Sequence, residues 1–303
     1  MHSNKICFVL CLMLVFCIFS SCKYDLPEFF YRKNGVETRS AKITDYSETD
    51  LFSEELKNSD KYSVVLISDV HFGAKMERKD ADFLEWFKNQ CEQTETELKP
   101  AFVVCLGDCV EHGEKSEYED YLVFCEEIKK IALESMGNDN FKIFSIAGNH
   151  DLYNSGWEHF EEMVYPNNSF YTLNVNSKKD SFHWYFLDSA SGTLGRKQLK
   201  LVNGLFKKDK NPKIVLTHYP VNQDGLLYFT TQNTDERDYL LNTFAISNSK
   251  LIFAGHHHPG GEHDFGDFME IGVPSFNQFR ECGLLTVDEV NKSYVYKKVD
   301  FCK

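Results

Sequence analysis

Basic residues are in short supply in this chain of 303 residues. Lys and Arg number 33 against 46 Asp and Glu, which gives a formal net charge of -13. Proteins that grip nucleic acid non-specifically use Lys and Arg to displace counterions from the phosphates. The acidic balance therefore argues against stable nucleic-acid binding. An anionic ligand would need a local positive centre that overcomes the general repulsion.

The cysteines lack the spacing of a zinc ribbon. Of the ten, three lie in an N-terminal apolar run and Cys22 follows that run. The other six are scattered along the chain: Cys91, Cys105, Cys109, Cys125, Cys282 and Cys302. This scatter favours buried free thiols, and one or two disulfide bridges remain the alternative. Internal repeats and low-complexity blocks are also missing, and 42% hydrophobic residues are enough for a globular core.

The N-terminus has a lone Lys5 and then an uncharged apolar run from Ile6 to Phe19. The run is too short to span a bilayer comfortably, and it is typical of a signal peptide, here predicted over residues 1–21. The sequence SSC at 20–22 resembles the lipobox of bacterial lipoproteins, although Phe19 stands where Leu is usual. The resemblance implies a lipid anchor on Cys22 and an extracytoplasmic lipoprotein held at a membrane. The alternatives are a secreted or periplasmic protein with an ordinary signal, and an uncleaved anchor.

Residues 22–60 are polar and charged without sustained periodicity, which predicts a tether ahead of a folded domain at 61–303. In that domain short apolar runs alternate with helical patterns at 80–98 and 115–135, and further strands are expected between 268 and 301. The runs predicted to be strands are Tyr62–Ser68, Ala101–Gly107, Phe141–Gly148, Phe182–Asp188, Lys213–His218 and Lys250–Gly255. This alternation predicts an α/β layered domain that binds ligands at the carboxyl ends of its strands.

Residues that can bind metal ions follow five of these runs. They are Asp69 and His71, then Asp108, then Asn149, His150 and Asp151, then His218, and finally His256 and His258. Singly, each has a plainer explanation as a helix cap, a turn, an Asx bond or a satisfied core histidine. Their recurrence in order at five strand ends favours one shared site.

These motifs resemble those of the calcineurin-like metallophosphoesterases, which run D-x-H, G-D-x-x-D/E, G-N-H-D/E, H and G-H-x-H. The resemblance covers Asp69 to His258 and implies a four-layer α/β sandwich of two mostly mixed β-sheets flanked by helices. It also implies two metal ions, and Mn, Fe or Zn suits carboxylate and imidazole ligands. Asp108 would bridge the ions. One shell would be completed by Asp69, His71 and His258, and the other by Asn149, His218 and His256.

The implied reaction is hydrolysis of a phosphate mono- or diester by in-line attack of a hydroxide that bridges the two ions. By the same resemblance, His150 would donate a hydrogen bond or proton to the leaving oxygen. Asp151 would orient His150 or cap the following segment, and the two roles are equally open. The expected substrate is a small phosphoester or nucleotide-like molecule. His112 stands where protein phosphatases of this superfamily carry a phosphate-holding arginine, which disfavours that class.

Two non-enzymatic classes compete with this interpretation. One is a non-catalytic metal- or ligand-binding lipoprotein on the same scaffold, which the complete set of ligand positions disfavours. The other is a histidine-rich lipoprotein that scavenges metal ions. The fixed order of single residues at strand ends disfavours that class, because a scavenger needs only a histidine tract.

His257 is predicted to be a spacer between two metal-binding histidines. In an extended chain residues two apart share a face, so His256 and His258 would face the site and His257 would point away. We expect His257→Ala to cost little activity toward aryl phosphate esters, while His256→Ala is damaging. Equal loss in the two variants would contradict the extended geometry assumed for this run.

Overall fold

The computed structural model describes residues 34–47, 51–222 and 230–303. The predicted signal peptide and the predicted lipid anchor, Cys22, lie outside these ranges. Within them, no helix combines the length and the apolar character needed to cross a membrane. All six cysteines in the described ranges are free thiols, and each is buried except Cys302.

The strands form one seven-stranded and one five-stranded sheet. Numbered along the chain, they are β1 Thr44–Asp45, β2 Lys61–Ile67, β3 Pro100–Cys105, β4 Ile143–Ser145, β5 Tyr171–Asn174, β6 His183–Phe186, β7 Lys213–Thr217, β8 Ser249–Ala254, β9 Gly261–Asp264, β10 Met269–Gly272, β11 Glu281–Asp288 and β12 Ser293–Asp300. The first sheet has the order β1-β5-β6-β7-β8-β10-β9, and the second has the order β12-β11-β2-β3-β4. Each contains parallel and antiparallel pairs, so both sheets are mixed.

Helices cover the outer faces of the two sheets. They are α1 Val36–Arg39, α2 Glu54–Asn58, α3 Asp80–Cys91, α4 Lys115–Met136, α5 Gly156–Met163, α6 Gly195–Lys208, α7 Thr234–Ile246 and α8 Phe276–Phe279, with 3₁₀ helices at Thr96–Leu98 and His150–Ser155. Helix α4 shows how the sequence sets the ends. It begins where the Glu114 N–H donates to the Glu117 carboxylate, and it ends at Gly137, which has a left-handed φ of 68°.

Alternating side chains of β2 build the layers. Val64 and Leu66 pack between the two sheets, where they meet residues of the first sheet such as Trp184. Val65 and Ile67 point the other way and pack in a core that includes residues of α3 and α4. A third core, under α6 and α7, covers the far face of the first sheet. The order of layers is therefore helix, sheet, sheet, helix, which confirms the predicted four-layer sandwich.

The C-terminal strands divide between the two sheets. Strand β10 lies parallel to β8 in the first sheet, whereas β11 pairs with β2 in the second, with Leu285 opposite Val64. The sequence predicted strands in this region without assigning them to sheets. The predicted helix at 80–98 ends earlier, at Cys91, and a 3₁₀ turn follows it. Helices α5, α6 and α7 were not predicted.

The described part of the predicted tether is packed on the domain. Arg39 donates hydrogen bonds of 2.8 Å to both carboxylate oxygens of Asp188, and both side chains are fully buried. Strand β1 pairs with β5, and Phe52 lies in the core between the sheets. The prediction of a polar tether is therefore wrong for residues 34–47 and 51–60, which belong to the folded domain. Their apolar residues are too few to produce a periodic pattern.

Arg39→Met should lower the free energy of unfolding by about 3–5 kcal/mol, because it leaves the Asp188 carboxylate buried without its partner. Urea denaturation measures the loss. Lys88→Met is the control, since Lys88 and Glu92 form an exposed pair and the variant should unfold near the wild-type midpoint. Wild-type stability of Arg39→Met would show that residues 34–47 stand outside the cooperative unit.

Candidate metal centre

The candidate site lies where the carboxyl ends of strands from both sheets meet. The second sheet contributes the loops that follow β2, β3 and β4, and the first contributes the loops that follow β7 and β8. The structure brings together all the residues predicted to bind metal ions: Asp69, His71, Asp108, Asn149, His218, His256 and His258. Because both sheets supply residues, their packing sets the geometry of the site.

Four of these residues have a left-handed backbone. The φ angles are 52° at Asp69, 51° at His71, 51° at Asp108 and 62° at His256. Residues other than glycine rarely adopt such angles, and each costs on the order of 1 kcal/mol. The sharp turns start where the strands stop and direct the side chains inward. Strain of this kind clusters at functional sites.

The glycines of the G-D and G-N motifs allow the loops to approach closely. A Cβ atom on Gly148 would lie 2.2 Å from Asp108 Oδ1, and one on Gly107 would lie 2.6 Å from His218 Nδ1. Gly107 also has a φ of 97°, which other residues rarely adopt. A side chain at either position would displace a carboxylate or an imidazole of the site.

Two carboxylates are buried at the centre of the site and are only half satisfied. Asp69 is 0% exposed and Asp108 is 1% exposed. Asp69 Oδ2 accepts hydrogen bonds from the Ser68 hydroxyl at 2.5 Å and from the His256 N–H at 3.1 Å. Asp108 Oδ1 accepts from the His150 N–H at 2.8 Å. In the described ranges, Asp69 Oδ1 and Asp108 Oδ2 receive no hydrogen bond.

Imidazole nitrogens face the two unsatisfied oxygens. His258 Nε2 lies 3.4 Å from Asp69 Oδ1, and His218 Nε2 lies 3.3 Å from Asp108 Oδ2. His71 Nε2 lies 3.9 Å from each of these oxygens. Buried oxygens without donors, surrounded by ring nitrogens, fit metal cations. This donor set therefore suits the two ions that the sequence predicts.

The charges of the site stabilise one another. Burial opposes ionisation of Asp69 and Asp108, but nearby imidazoles keep the pKa of both carboxyls below the ordinary value. Burial likewise disfavours the cationic imidazoles, yet Asp108 raises the pKa of His218 to about 9, and Asp69 raises that of His258 to about 9. The carboxylates and the imidazoles thus favour each other's charged forms.

Partners on the far ring nitrogen orient two of the imidazoles. The His218 Nδ1–H donates to the Leu106 carbonyl at 2.8 Å, and the His258 Nδ1–H donates to Gln278 Oε1 at 2.6 Å. In both rings this leaves Nε2 directed at the carboxylates, which is the usual arrangement of a metal-binding histidine. The ring of His256 stacks on Tyr219, with ring centroids 3.8 Å apart.

The possible metal ligands fall into three groups, and the ligand atoms within each group lie within 4.8 Å of one another. The groups are Asp69, His71 and His258; Asp108, His218 and His256; and His71, Glu111 and His150. Glu111 was not assigned to the site from the sequence, although it occupies the last position of the G-D-x-x-E motif. Its Oε2 lies 2.8 Å from His71 Nδ1, beside a predicted ligand.

His150 stands at the open side of the site. Its Nδ1–H donates to the Glu111 carbonyl at 2.8 Å, so Nε2 is the ring atom left for other partners. The ring lies 4.7 Å from that of His71, measured between centroids. The side chain is 26% exposed, which places it within reach of a molecule that enters from solvent.

Asp151 joins two loops of the site. Its fully buried carboxylate accepts hydrogen bonds from the N–H groups of Gly148 at 2.8 Å, Val110 at 3.2 Å and Cys109 at 3.3 Å. Burial, and then the charge of Asp108, raise its pKa to about 7. The prediction that Asp151 orients His150 or caps the following segment stays a prediction, since these hydrogen bonds come from loop N–H groups. Its carboxylate fixes the loop after β3 against the loop after β4.

The histidine run is a turn and not an extended chain. His256 has a left-handed φ of 62°, and the His257 N–H donates to the Gly255 carbonyl at 2.6 Å. His256 and His258 still reach different ligand groups, while His257 Nδ1 pairs with the Gly260 carbonyl at 3.1 Å. The predicted division of the three rings agrees with the structure, but the extended geometry behind it was wrong.

Comparisons with known proteins place these features in a family. Residues 62–260 match the family described as calcineurin-like phosphoesterase. No curated protein matches the chain. A dimetal phosphatase from Danio rerio has a similar structure, with 13% identity and a TM-score of 0.54 over 78% of this chain and 95% of that one.

Two further solved structures are similar. GAP50, the anchor in the inner membrane complex of Plasmodium, is 15% identical with a TM-score of 0.59, over 81% of this chain and 86% of that one. PhoD is 10% identical with a TM-score of 0.51, over 79% of this chain and 69% of that one. At these identities the similarities show a shared fold alone.

Asp151→Ala should lower the free energy of unfolding by about 3 kcal/mol, because three buried N–H groups lose their acceptor. Asp151→Asn retains one acceptor oxygen and should lose less. Urea denaturation measures both, with the exposed Asp139→Ala as a control that unfolds near the wild-type midpoint. An Asp151→Ala protein with wild-type stability but no activity would instead assign the carboxylate to the chemistry.

Proposed function

Since the chain belongs to the calcineurin-like phosphoesterase family, we propose that it hydrolyses a phosphate mono- or diester with two bound metal ions. One observation carries the proposal. Asp69 Oδ1 and Asp108 Oδ2 are buried, lack a hydrogen-bond donor in the described part of the chain, and face imidazole nitrogens. Bound cations would compensate the charge of these unsatisfied oxygens. Mn, Fe and Zn suit this mixture of carboxylate and imidazole ligands.

The ligand groups suggest how the ions would be held. Asp69, His71 and His258 would hold one ion, and Asn149, His218 and His256 the other, with Asp108 between them. The position of His71 Nε2, 3.9 Å from a carboxylate oxygen of each aspartate, supports two adjoining sites. When bound, two such ions activate water as a nucleophile near neutral pH and neutralise charge on the phosphoryl oxygens.

The proposed role of His150 follows from its ring contacts. The Glu111 carbonyl occupies Nδ1, so Nε2 is the atom that would give a hydrogen bond or proton to the leaving oxygen. The ring is partly exposed and lies beside His71, which supports a role for His150 next to the proposed ions. The leaving group would therefore lie on the His150 side of the site.

The expected substrate is a small phosphoester. His112, which replaces the arginine of protein phosphatases, pairs with Glu117 at 2.7 Å and is half exposed. It is thus held by a carboxylate that would oppose phosphate binding. The N-terminal pattern supports an extracytoplasmic, membrane-anchored setting, through Cys22, for this reaction.

A non-catalytic binding protein is the second candidate. GAP50, which is described as an anchor, has a similar fold, and this similarity supports the non-catalytic candidate. The presence of a suitable side chain at every ligand position of this chain favours turnover. Activity and metal content, measured together, separate the two candidates.

Asp108→Ala and His258→Ala should abolish turnover of aryl phosphate mono- and diesters and reduce bound metal, because each removes a proposed ligand. His150→Ala should retain both ions and slow turnover by about 10²- to 10⁴-fold, because it removes only the proton donor. His263→Ala, on β9, is the control and should behave as wild type. Elemental analysis measures the metal, and release of the aryl alcohol measures turnover.

Two outcomes would contradict the proposal. Wild-type turnover by Asp108→Ala and His258→Ala would exclude the assigned site. Failure of the metal-loaded wild type to hydrolyse any ester of the panel would favour the non-catalytic candidate.

A further inference from the structure

Tyr153 stands beside the leaving-group side of the proposed site. Its ring centroid lies 4.9 Å from that of His150, and the two rings are inclined by 52°. The residue is nevertheless 42% exposed, so much of the aromatic surface remains open. A group bonded to an ester oxygen at His150 would come within reach of this ring.

The backbone around Tyr153 is strained, which sets it apart from an ordinary surface tyrosine. Tyr153 leaves the 3₁₀ conformation with ψ 154°, and the next two residues, Asn154 and Ser155, have left-handed φ angles of 48° and 65°. Two successive left-handed residues other than glycine persist only where the surroundings impose them. The Asn154 amide contributes by donating to the His112 carbonyl at 2.9 Å.

Two glycines hold this kink against the loop that follows β3. A Cβ on Gly113 would lie 2.1 Å from the Tyr153 carbonyl oxygen, and one on Gly156 would lie 2.8 Å from Gly113 Cα. The backbone at Gly113 therefore contacts the backbone at Tyr153 and Gly156 so closely that no side chain fits at either glycine. This contact fixes the backbone of Tyr153, while the residue is 42% exposed.

We propose that Tyr153 is a specificity-determining residue that favours substrates with a planar aromatic leaving group. The ring of the leaving group stacks on Tyr153 while the ester oxygen faces His150. A flat ring buries area on an exposed aromatic residue with little loss of conformational freedom, and stacking adds a preference over a puckered ring of equal size. The inference rests on the proposed function, because it takes the leaving-group side from the role of His150.

Benzyl phosphate and cyclohexylmethyl phosphate test this preference. Both release a primary alcohol and have similar size, and they differ in the planarity of the ring. They are used as monoesters, or as methyl diesters if the wild type hydrolyses only diesters. We expect the wild type to have the higher kcat/KM for the benzyl ester. Tyr153→Ala should lower the benzyl to cyclohexylmethyl ratio of kcat/KM about five- to tenfold, and Tyr153→Phe should preserve it.

Tyr239→Ala is the matched control, because Tyr239 is 40% exposed and lies on α7, away from the motif loops. Its ratio should equal that of the wild type. Thermal unfolding confirms that each variant is folded. If Tyr153→Ala lowers both esters equally or neither, the inference is overturned and the proposed function stands. If the metal-loaded wild type hydrolyses neither these esters nor any ester of the aryl panel, the proposed function fails and the inference fails with it.

Discussion

The structure of the site depends on the burial of two negatively charged side chains close together. The Asp69 and Asp108 carboxylates are both buried, and the charge of each raises the cost of ionising the other. The structure offsets this cost with the imidazoles of His218 and His258 and with backbone N–H groups directed at the carboxylates. Those N–H groups point inward because the loops turn sharply at the strand ends. The strained backbone and the buried charges are therefore two parts of one arrangement.

The sandwich itself determines how accurately the ligands meet. Asp69 and Asp108 leave the second sheet, whereas His218 and His258 leave the first, and the apolar core between the sheets sets their separation. Around α8 the connection is direct. The Ser275 hydroxyl donates to the Asp69 carbonyl at 3.1 Å, and the Ser275 N–H donates to the His258 carbonyl at 2.8 Å. One residue thus joins loops of both sheets, so a shift of one sheet would be felt by both ligand groups.

The sequence allowed the strands that are buried on both faces to be predicted, because such strands form continuous apolar runs, as in β2 and β3. The sequence also allowed candidate metal ligands to be identified. The motifs at the strand ends keep their order along the chain even where the connecting segments differ in length and structure. The sequence did not reveal the contacts of Asp151, two of whose partners lie in a loop 41 and 42 positions earlier. Nor did it place residues 34–47 in the domain. Contacts of this range leave no periodic signal, and a polar segment held by a buried arginine and a two-residue strand has the same sequence pattern as an unattached one.

The pairing of Arg39 with Asp188 also depends on the order in which the chain is synthesised. The two residues are 149 positions apart. At about 5–20 residues per second, a ribosome makes Arg39 roughly 7 to 30 seconds before Asp188 exists. Strand β1 waits almost as long for β5, its neighbour at the edge of the first sheet. During that interval Arg39 and strand β1 lack these partners, so the earliest-made part of the described fold cannot take its place in the domain until more than half of the chain has been made.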